Sequence, residues 1–143
     1  MRQWSARGVG RVAGTPFPRL DDKAILKLPG GFKGAAFLML KNFYVLKSYN
    51  KADKYALAVG HLADRLKGYG PLVQDWPRGY RPLMESERRE VQIKLVELGF
   101  YDGEIDGNIG PVSRTAIQDY QRKNGLVPDG FASKTLLDQM RVR

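Results

Sequence analysis

The feature that most constrains this chain is the stretch Gly99-Phe-Tyr-Asp-Gly-Glu-Ile-Asp-Gly-Asn-Ile-Gly-Pro-Val-Ser-Arg-Thr-Ala-Ile117. Glycine, aspartate and asparagine fill its turn positions, and helical spacing begins abruptly at Pro111. Gly103, Gly107 and Gly110 each follow or close a short polar step, so positive φ is predicted at all three. Pro111 suits the first helical position, where its missing N–H has no partner to lose. Upstream, Val91, Leu95 and Leu98 share one helical face, and Gly99 is placed to end that helix as its C′ residue. The same grammar then repeats: Asp106-Gly107 leads to Ser113-Arg-Thr-Ala-Ile117, and Asp129-Gly130 leads to Ser133-Lys-Thr-Leu-Leu137. Ser133 is the expected N-cap of a last helix that buries Leu136, Leu137 and Met140. Two such units are too few for a solenoid, so the expectation is a compact three-helix module over residues 84–143.

At 143 residues the chain has room for one domain or two small ones. Its net charge of +9 is unevenly spread: residues 1–82 carry +10 and residues 83–143 carry −1. That asymmetry places a boundary near Arg78-Gly-Tyr-Arg-Pro82 and makes residues 1–80 a separate region. A basic half is drawn to polyanions (nucleic acid, anionic lipid or a carboxylate-rich polymer), and a merely solvated basic surface explains it equally well. The chain has no cysteine, which excludes disulfide and thiolate chemistry and says nothing of compartment. No run is long enough to span a membrane. The start, Met1-Arg-Gln-Trp-Ser-Ala-Arg7, lacks the apolar core of a signal peptide, so either the protein is cytoplasmic or its natural N-terminus is missing.

In the first half, Gly8, Gly10, Gly14, Pro16 and Pro18 exclude a long helix. Ala24–Leu28 and Ala35–Leu40 are short apolar runs around Pro29-Gly-Gly-Phe32 and read as two strands of a hairpin. A lone hairpin is marginal in water and needs a further surface. Asn42 is the expected cap of a short helix ending near Tyr49-Asn50. Asp53 is the expected cap of a second helix to about Lys67, with Tyr55, Val59, Leu62 and Leu66 on its apolar side. The fold class is therefore mainly α with a small β-hairpin region (α+β) in the first half, followed by the three-helix module.

Two resemblances follow. Glu87 to Met140, with Val91-Gln92-x-x-Leu95, Leu98-Gly99-Phe100-Tyr101, Ile105-Asp106-Gly107-x-x-Gly110-Pro111, Thr115-Ala116-Ile117, Tyr120-Gln121 and Gly125-Leu126, resembles the type 1 peptidoglycan-binding domain. That resemblance implies a non-catalytic module that holds cell-wall peptidoglycan near an enzyme. Trp4-x-x-x-Gly8-Val9, Leu28-Pro29-x-Gly31-x-x-Gly34-x-Ala36-Phe37, Asn42-Phe43-x-Val45-Leu46, Tyr49-Asn50 and Tyr55-Ala-Leu-Ala-Val59 resemble the end of the catalytic domain of MltB-type lytic murein transglycosylases. Ala52 departs from the pattern, where the family usually has serine. These enzymes cut between N-acetylmuramic acid and N-acetylglucosamine with one glutamate as acid then base, leaving a 1,6-anhydro end. The resemblance implies that this glutamate lies upstream of the matched residues.

The glutamates present, Glu85, Glu87, Glu90, Glu97 and Glu104, all fall in the connector or the second module. An acid catalyst needs a desolvated carboxyl with a raised pKa, whereas Glu87 and Glu90 sit in a helix first turn that favours ionisation. No carboxylate pair of the glycosidase kind stands out either. The expectation is a C-terminal piece of a transglycosylase, from an early truncation or an internal start, that binds wall and cleaves nothing. Its parent belongs in the periplasm or cell envelope. An apolar face in residues 1–80 is expected to be left exposed.

For ligand contacts, the second module offers Tyr101, Asp106, Gly107, Gly110, Arg114 and Thr115. The first N–H groups of the helix after Gly110 suit a stem-peptide carboxylate, and Arg114 can add a bidentate contact. Asp106 and Gly107 read as turn builders first, because Asp-Gly is turn chemistry before it is ligand chemistry. By the family placement, Asn42, Tyr49, Asn50 and Tyr55 line the sugar cleft; Tyr55 also reads as a half-buried core residue. His61 has no second metal-ligating neighbour and reads as structural or solvated, and no cofactor is implied. The expected partners are peptidoglycan glycan and stem peptide, with other cell-wall enzymes as further candidates. A nucleic-acid binder is the rival reading, motivated by the high pI and the tyrosines among Lys41–Lys54, but no helix-turn-helix, zinc-finger or RRM spacing is present.

Overall fold

The computed structural model describes residues 1–76 and 81–142. Most of the connector boundary read from the sequence, Arg78–Tyr80, lies outside the described residues. The chain divides into two compact units: residues 1–27 with 35–75, and Leu28–Gly34 with the segment from Trp76 onward.

The first unit begins with a short helix α1, Arg2–Ala6, and a single 3-10 turn at Val12–Gly14. Strands β1, Ile25–Lys27, and β2, Phe37–Met39, then pair antiparallel with Ile25 opposite Met39 and Lys27 opposite Phe37. Helices α2, Lys41–Tyr49, and α3, Asp53–Leu66, complete the unit. The further surface the hairpin needs is small: Met39, Phe43 and Ala56 are buried together, with Phe37, Leu46 and Leu57 packed around them.

Several local expectations are corrected here. The N-cap of α2 is Leu40, and Asn42 lies inside the first turn with its side chain exposed. The N-cap of α3 is Ala52, and Asp53 is the first helical residue. Asp53 turns its carboxylate to Lys27 and Lys47 instead, an ion pair that outcompetes a cap. The expected apolar side of α3 does not face the core, since Leu62 is 60% and Leu66 81% exposed. Ala56, one residue round the helix from Tyr55, is the buried contact and packs with Met39 and Phe43. The exposed apolar face expected in residues 1–80 is thus found on α3.

The second unit contains α4, Glu85–Glu97, α5, Pro111–Lys123, and α6, Lys134–Arg141. Val91, Leu95, Ala116, Ile117, Tyr120, Leu136, Leu137 and Met140 form one buried cluster, with Leu98, Phe100, Ile109 and Leu126 sealing its edge. Gly99, at φ 76°, ends α4 as foreseen: its own N–H reaches Val96 O (3.0 Å) and the Phe100 N–H reaches Leu95 O (2.8 Å). This double closure delivers Phe100 onto the core, edge to face with Tyr120. Gly125 repeats it after α5, with the Leu126 N–H on Gln121 O (2.8 Å). Ser133 caps α6 through Oγ, which accepts the Leu136 N–H at 3.1 Å. Pro111 opens α5.

Of the three loop glycines, only Gly107 has positive φ, at 74°. Gly110 adopts φ −81° as the extended N-cap of α5, a conformation open to any L-residue. Gly103 is small for a different reason: a Cβ there would meet the Tyr101 ring at 2.6 Å.

Candidate functional site

The loop from Asp102 to Gly110 carries no regular structure, so its backbone groups need partners from elsewhere. Helix α4 supplies them from side chains on two consecutive turns. Arg88 Nε donates to Gly107 O (2.6 Å) and Arg89 Nη1 to Ile105 O (2.6 Å). Gln92, fully buried, donates through Nε2 to Asp106 Oδ1 (2.9 Å) and accepts the Gly107 N–H on Oε1 (2.7 Å). Asp106 Oδ1 also accepts the Asn108 N–H at 2.7 Å. Gln92, then Asn108, hold the Asp106 carboxyl below its usual range. The turn-building role of Asp106 and Gly107 is thus visible in detail.

The second pseudo-repeat is built in the same way. Buried Gln121 donates Nε2 to Asp129 Oδ1 (2.7 Å) and accepts the Gly130 N–H on Oε1 (2.9 Å), while the Phe131 N–H also reaches Oδ1 (2.9 Å). Gly130 has φ 67°. Each repeat is therefore a helix glutamine clamping an Asp-Gly turn. The paired Gln92 and Gln121 were readable only as polar residues on otherwise apolar helix faces, and sequence reasoning gave them no role.

The other second-module candidates are spread along the rim of this loop. Tyr101 Oη donates to Glu104 O (2.9 Å), so its ring is fixed against Gly103. Arg114 is exposed and its Nε reaches Ile109 O at 3.3 Å; Thr115 Oγ1 donates back to Pro111 O at 3.2 Å. Gly110, Pro111 and the open first turn of α5 sit beside them with no side-chain cap. A shallow groove of about 480 Å³, lined by Tyr120, Asn124, Leu126, Thr135, Asp138 and Gln139, opens between the end of α5 and α6, and the sequence gave no sign of it.

The carboxylates of α4 are committed to ion pairs. Arg81 grips Glu87 with two bonds of 2.5 Å, and Glu87 Oε2 also takes the Met84 N–H (2.9 Å). Arg81, then the Met84 N–H, hold the Glu87 carboxyl at about 2. Arg141 grips Glu90 through two bonds of 2.7 Å and lowers its pKa as well, tying α6 to α4. A general acid needs the opposite shift.

In the first unit the structure brings Tyr49, Asn50 and Tyr55 together. The Tyr49 and Tyr55 rings lie 6.0 Å apart and tilted, with Tyr49 84% exposed. Asn50 Oδ1 accepts the Ala52 N–H (2.9 Å), fixing the bend between α2 and α3. Asn42 stands at the other end of α2. Asp53 forms ion pairs with Lys27 and with Lys47, whose Nζ lies 2.5 Å from Oδ1. Both ammonium groups also lie over the Phe43 ring. Burial opposes ionisation of Asp53, but the two lysines outweigh it and its pKa is lowered. His61 is half-buried on α3. Among the described residues no His, Cys, Asp and Glu group is placed to hold a metal ion, and no helix is long and apolar enough to cross a membrane.

The class of protein is thus one of two parts, a hairpin unit with an exposed Tyr49 followed by a clamped glycine loop over a three-helix core. Family comparison agrees: residues 1–64 match the transglycosylase SLT domain and residues 84–140 the peptidoglycan binding domain. Crystal structures of SltB3 from Pseudomonas aeruginosa, in complex with NAG-NAM-pentapeptide and with NAG-anhNAM-pentapeptide, superpose with a TM-score of 0.92. They are 42% and 43% identical over 98% of this chain, which spans 38% of theirs. The N-acetylmuramoyl-L-alanine amidase CwlM of Mycobacterium tuberculosis is 38% identical over 56 residues, 39% of this chain and 14% of its own. The OxPP cycle protein OpcA of Nostoc punctiforme is 39% identical over 59 residues, 41% and 13% respectively. Residues 1–64 therefore match a transglycosylase SLT segment and residues 84–140 a peptidoglycan binding domain, and the chain as a whole resembles part of SltB3.

Proposed function

We propose that this chain binds peptidoglycan and works as a portion of a lytic transglycosylase, with no acid catalyst of its own. The observation that carries this reading is the succession of the two domain matches, together with the superposition on SltB3 over 98% of this chain. A binding-domain match alone would not suffice, since OpcA's name makes no reference to the wall. Residues 1–80 act as the transglycosylase segment and residues 84–143 as the binding domain. Tyr49 and Tyr55 offer aromatic faces to sugar rings, with Asn50 beside them and Asn42 at the far end of α2 as hydrogen-bonding groups. Tyr101, Gly110, Arg114 and Thr115 rim a site for stem peptide at the first turn of α5. Glu87 and Glu90, ionised by their arginines, support the absence of proton donation. The parent protein acts outside the cytoplasm, in the periplasm or envelope, and other wall enzymes are candidate partners.

The test is retention of purified chain on murein sacculi against duplex DNA at equal ionic strength, with the supernatant assayed for anhydromuropeptides. Retention by sacculi with no product is expected. Preference for DNA would overturn the ligand, and released anhydromuropeptides would overturn the lack of catalysis.

A further inference from the structure

The segment Leu28–Gly34 belongs to the second unit although about fifty residues of chain separate it from α4. It is a tight double turn, with the Gly31 N–H on Leu28 O and the Gly34 N–H on Gly31 O, both at 3.0 Å. Gly30, Gly31 and Gly34 are buried. Its tip rests on the turn Asp129–Phe131. Asp129 commits Oδ1 to the internal clamp with Gln121 and the Phe131 N–H, and its Oδ2 accepts the backbone N–H of Phe32 at 2.9 Å. Gly31, just before that donor, has φ 70° and lies against the Phe131 ring. An L-side chain at Gly31 is doubly excluded: φ is unfavourable, and its Cβ would stand 2.8 Å from Asp129 Oδ2. A residue of D configuration prefers this very backbone region, and its Cβ replaces the other Cα hydrogen.

We infer that the Asp129–Phe131 turn is a binding site for a peptide backbone carrying a small D-residue, and that Gly30-Gly31-Phe32 occupies it as an internal stand-in. The inference rests on the wall-binding reading only for the source of such peptides, the D-alanine-containing stems of peptidoglycan. The incoming backbone N–H after the D-residue takes the place of the Phe32 N–H on Asp129 Oδ2. Its side chain projects from the opposite Cα position to the one that meets Asp129 Oδ2 and the Phe131 ring, and the glycine segment is displaced. The carboxylate makes this a charge-assisted hydrogen bond, and Gln121 keeps it aimed.

The experiment is NMR titration of the full chain with Ac-Lys-D-Ala-D-Ala and, separately, its all-L isomer. The D-peptide should shift the Phe32, Gly130 and Phe131 amides and speed exchange of the Phe32 N–H; the L-isomer should not. Gly31→Ala, which expels the stand-in, should tighten D-peptide binding by roughly tenfold, and Asp129→Asn should weaken it by about as much. These opposite signs separate competition from general damage. If Asp129→Asn strips protection from the Gly130 N–H, the clamp itself has failed and Gly31→Ala decides. Equal binding of both isomers, shifts confined to Asp106–Thr115 or to the α5–α6 groove, or no gain from Gly31→Ala would overturn the site. Sacculus retention of the unmodified chain is scored independently, so loss of the site leaves wall binding standing, and the reverse.

Discussion

Replacing Gln92 by leucine tests what holds the glycine loop. Leucine has nearly the same volume, so the core around Val91 and Leu95 is not hollowed and the loss is of hydrogen bonds alone. The Gly107 N–H, buried and bonded to Gln92 Oε1 at 2.7 Å, is left without a partner. An unsatisfied buried donor costs about 1–3 kcal/mol. Asp106 is exposed and rehydrates, so its lost bond is not added. The expected destabilisation of the second unit is therefore about 2 kcal/mol, or roughly 8–16 °C in its melting temperature. Because the chain has two units, a single unfolding curve is ambiguous and residue-level hydrogen exchange is the better assay. The Gly107 amide should lose its protection, while the Ile117 amide in the core of α5 should exchange only with global opening. A change below about 0.5 kcal/mol, with Gly107 still protected, would mean that Arg88 and Arg89 hold the loop and the glutamine clamp is incidental.

Gly107→Ala should cost about 1–2 kcal/mol because of its φ of 74°, whereas Gly110→Ser, at φ −81° with open space around it, should gain a few tenths as a better N-cap; thermal melts decide both signs. Lowering the pH should weaken the second unit between about 4.5 and 2. The folded pKa of Glu87 is the lower one, so its contribution is fully present above the unfolded value and lost as pH falls through the folded value. Arg81→Ala should shrink that acid-dependent loss, measured as melting temperature against pH. Ile117→Ala, at a fully buried position, should cost about 2–5 kcal/mol and abolish sacculus retention with the fold.

The second module was the legible part because its signals are local. Gly99, Pro111 and Ser133 each announce a helix end by backbone chemistry within one turn, and each sits where it was read. In the first unit the hairpin and the extents of α2 and α3 were legible, but the caps and the buried face were not. A cap residue competes with every charge in reach, and Lys27 and Lys47 come to Asp53 from β1 and α2, which a linear reading cannot see. The i, i+4 apolar pattern of α3 was real, but periodicity says which residues share a face, not whether anything covers it. Positive φ was assigned to three loop glycines on one argument, yet Gly103 answers to a ring and Gly110 to a helix cap. Gln92 and Gln121 remained hidden because their partners, Asp106 and Asp129, lie at different sequence distances from them.

The two Gln–Asp–Gly clamps also explain how a loop rich in glycine can serve recognition. A glycine-rich segment costs more entropy to order than any other, so a flexible loop would spend binding free energy on ordering itself. Here α4 and α5 make that payment during folding. Gln92, Arg88 and Arg89 satisfy the loop's carbonyls and its buried N–H from behind, leaving its outer face and the first turn of α5 ordered in advance. The first unit has no comparable reserve. Its core is Met39, Phe43 and Ala56, and its exposed Tyr49 is steadied by little beyond the Tyr55 ring and the Asn50 bend. Preorganisation therefore lies in the second module, and wall affinity in this chain should follow substitutions at the clamps more steeply than substitutions at the tyrosines.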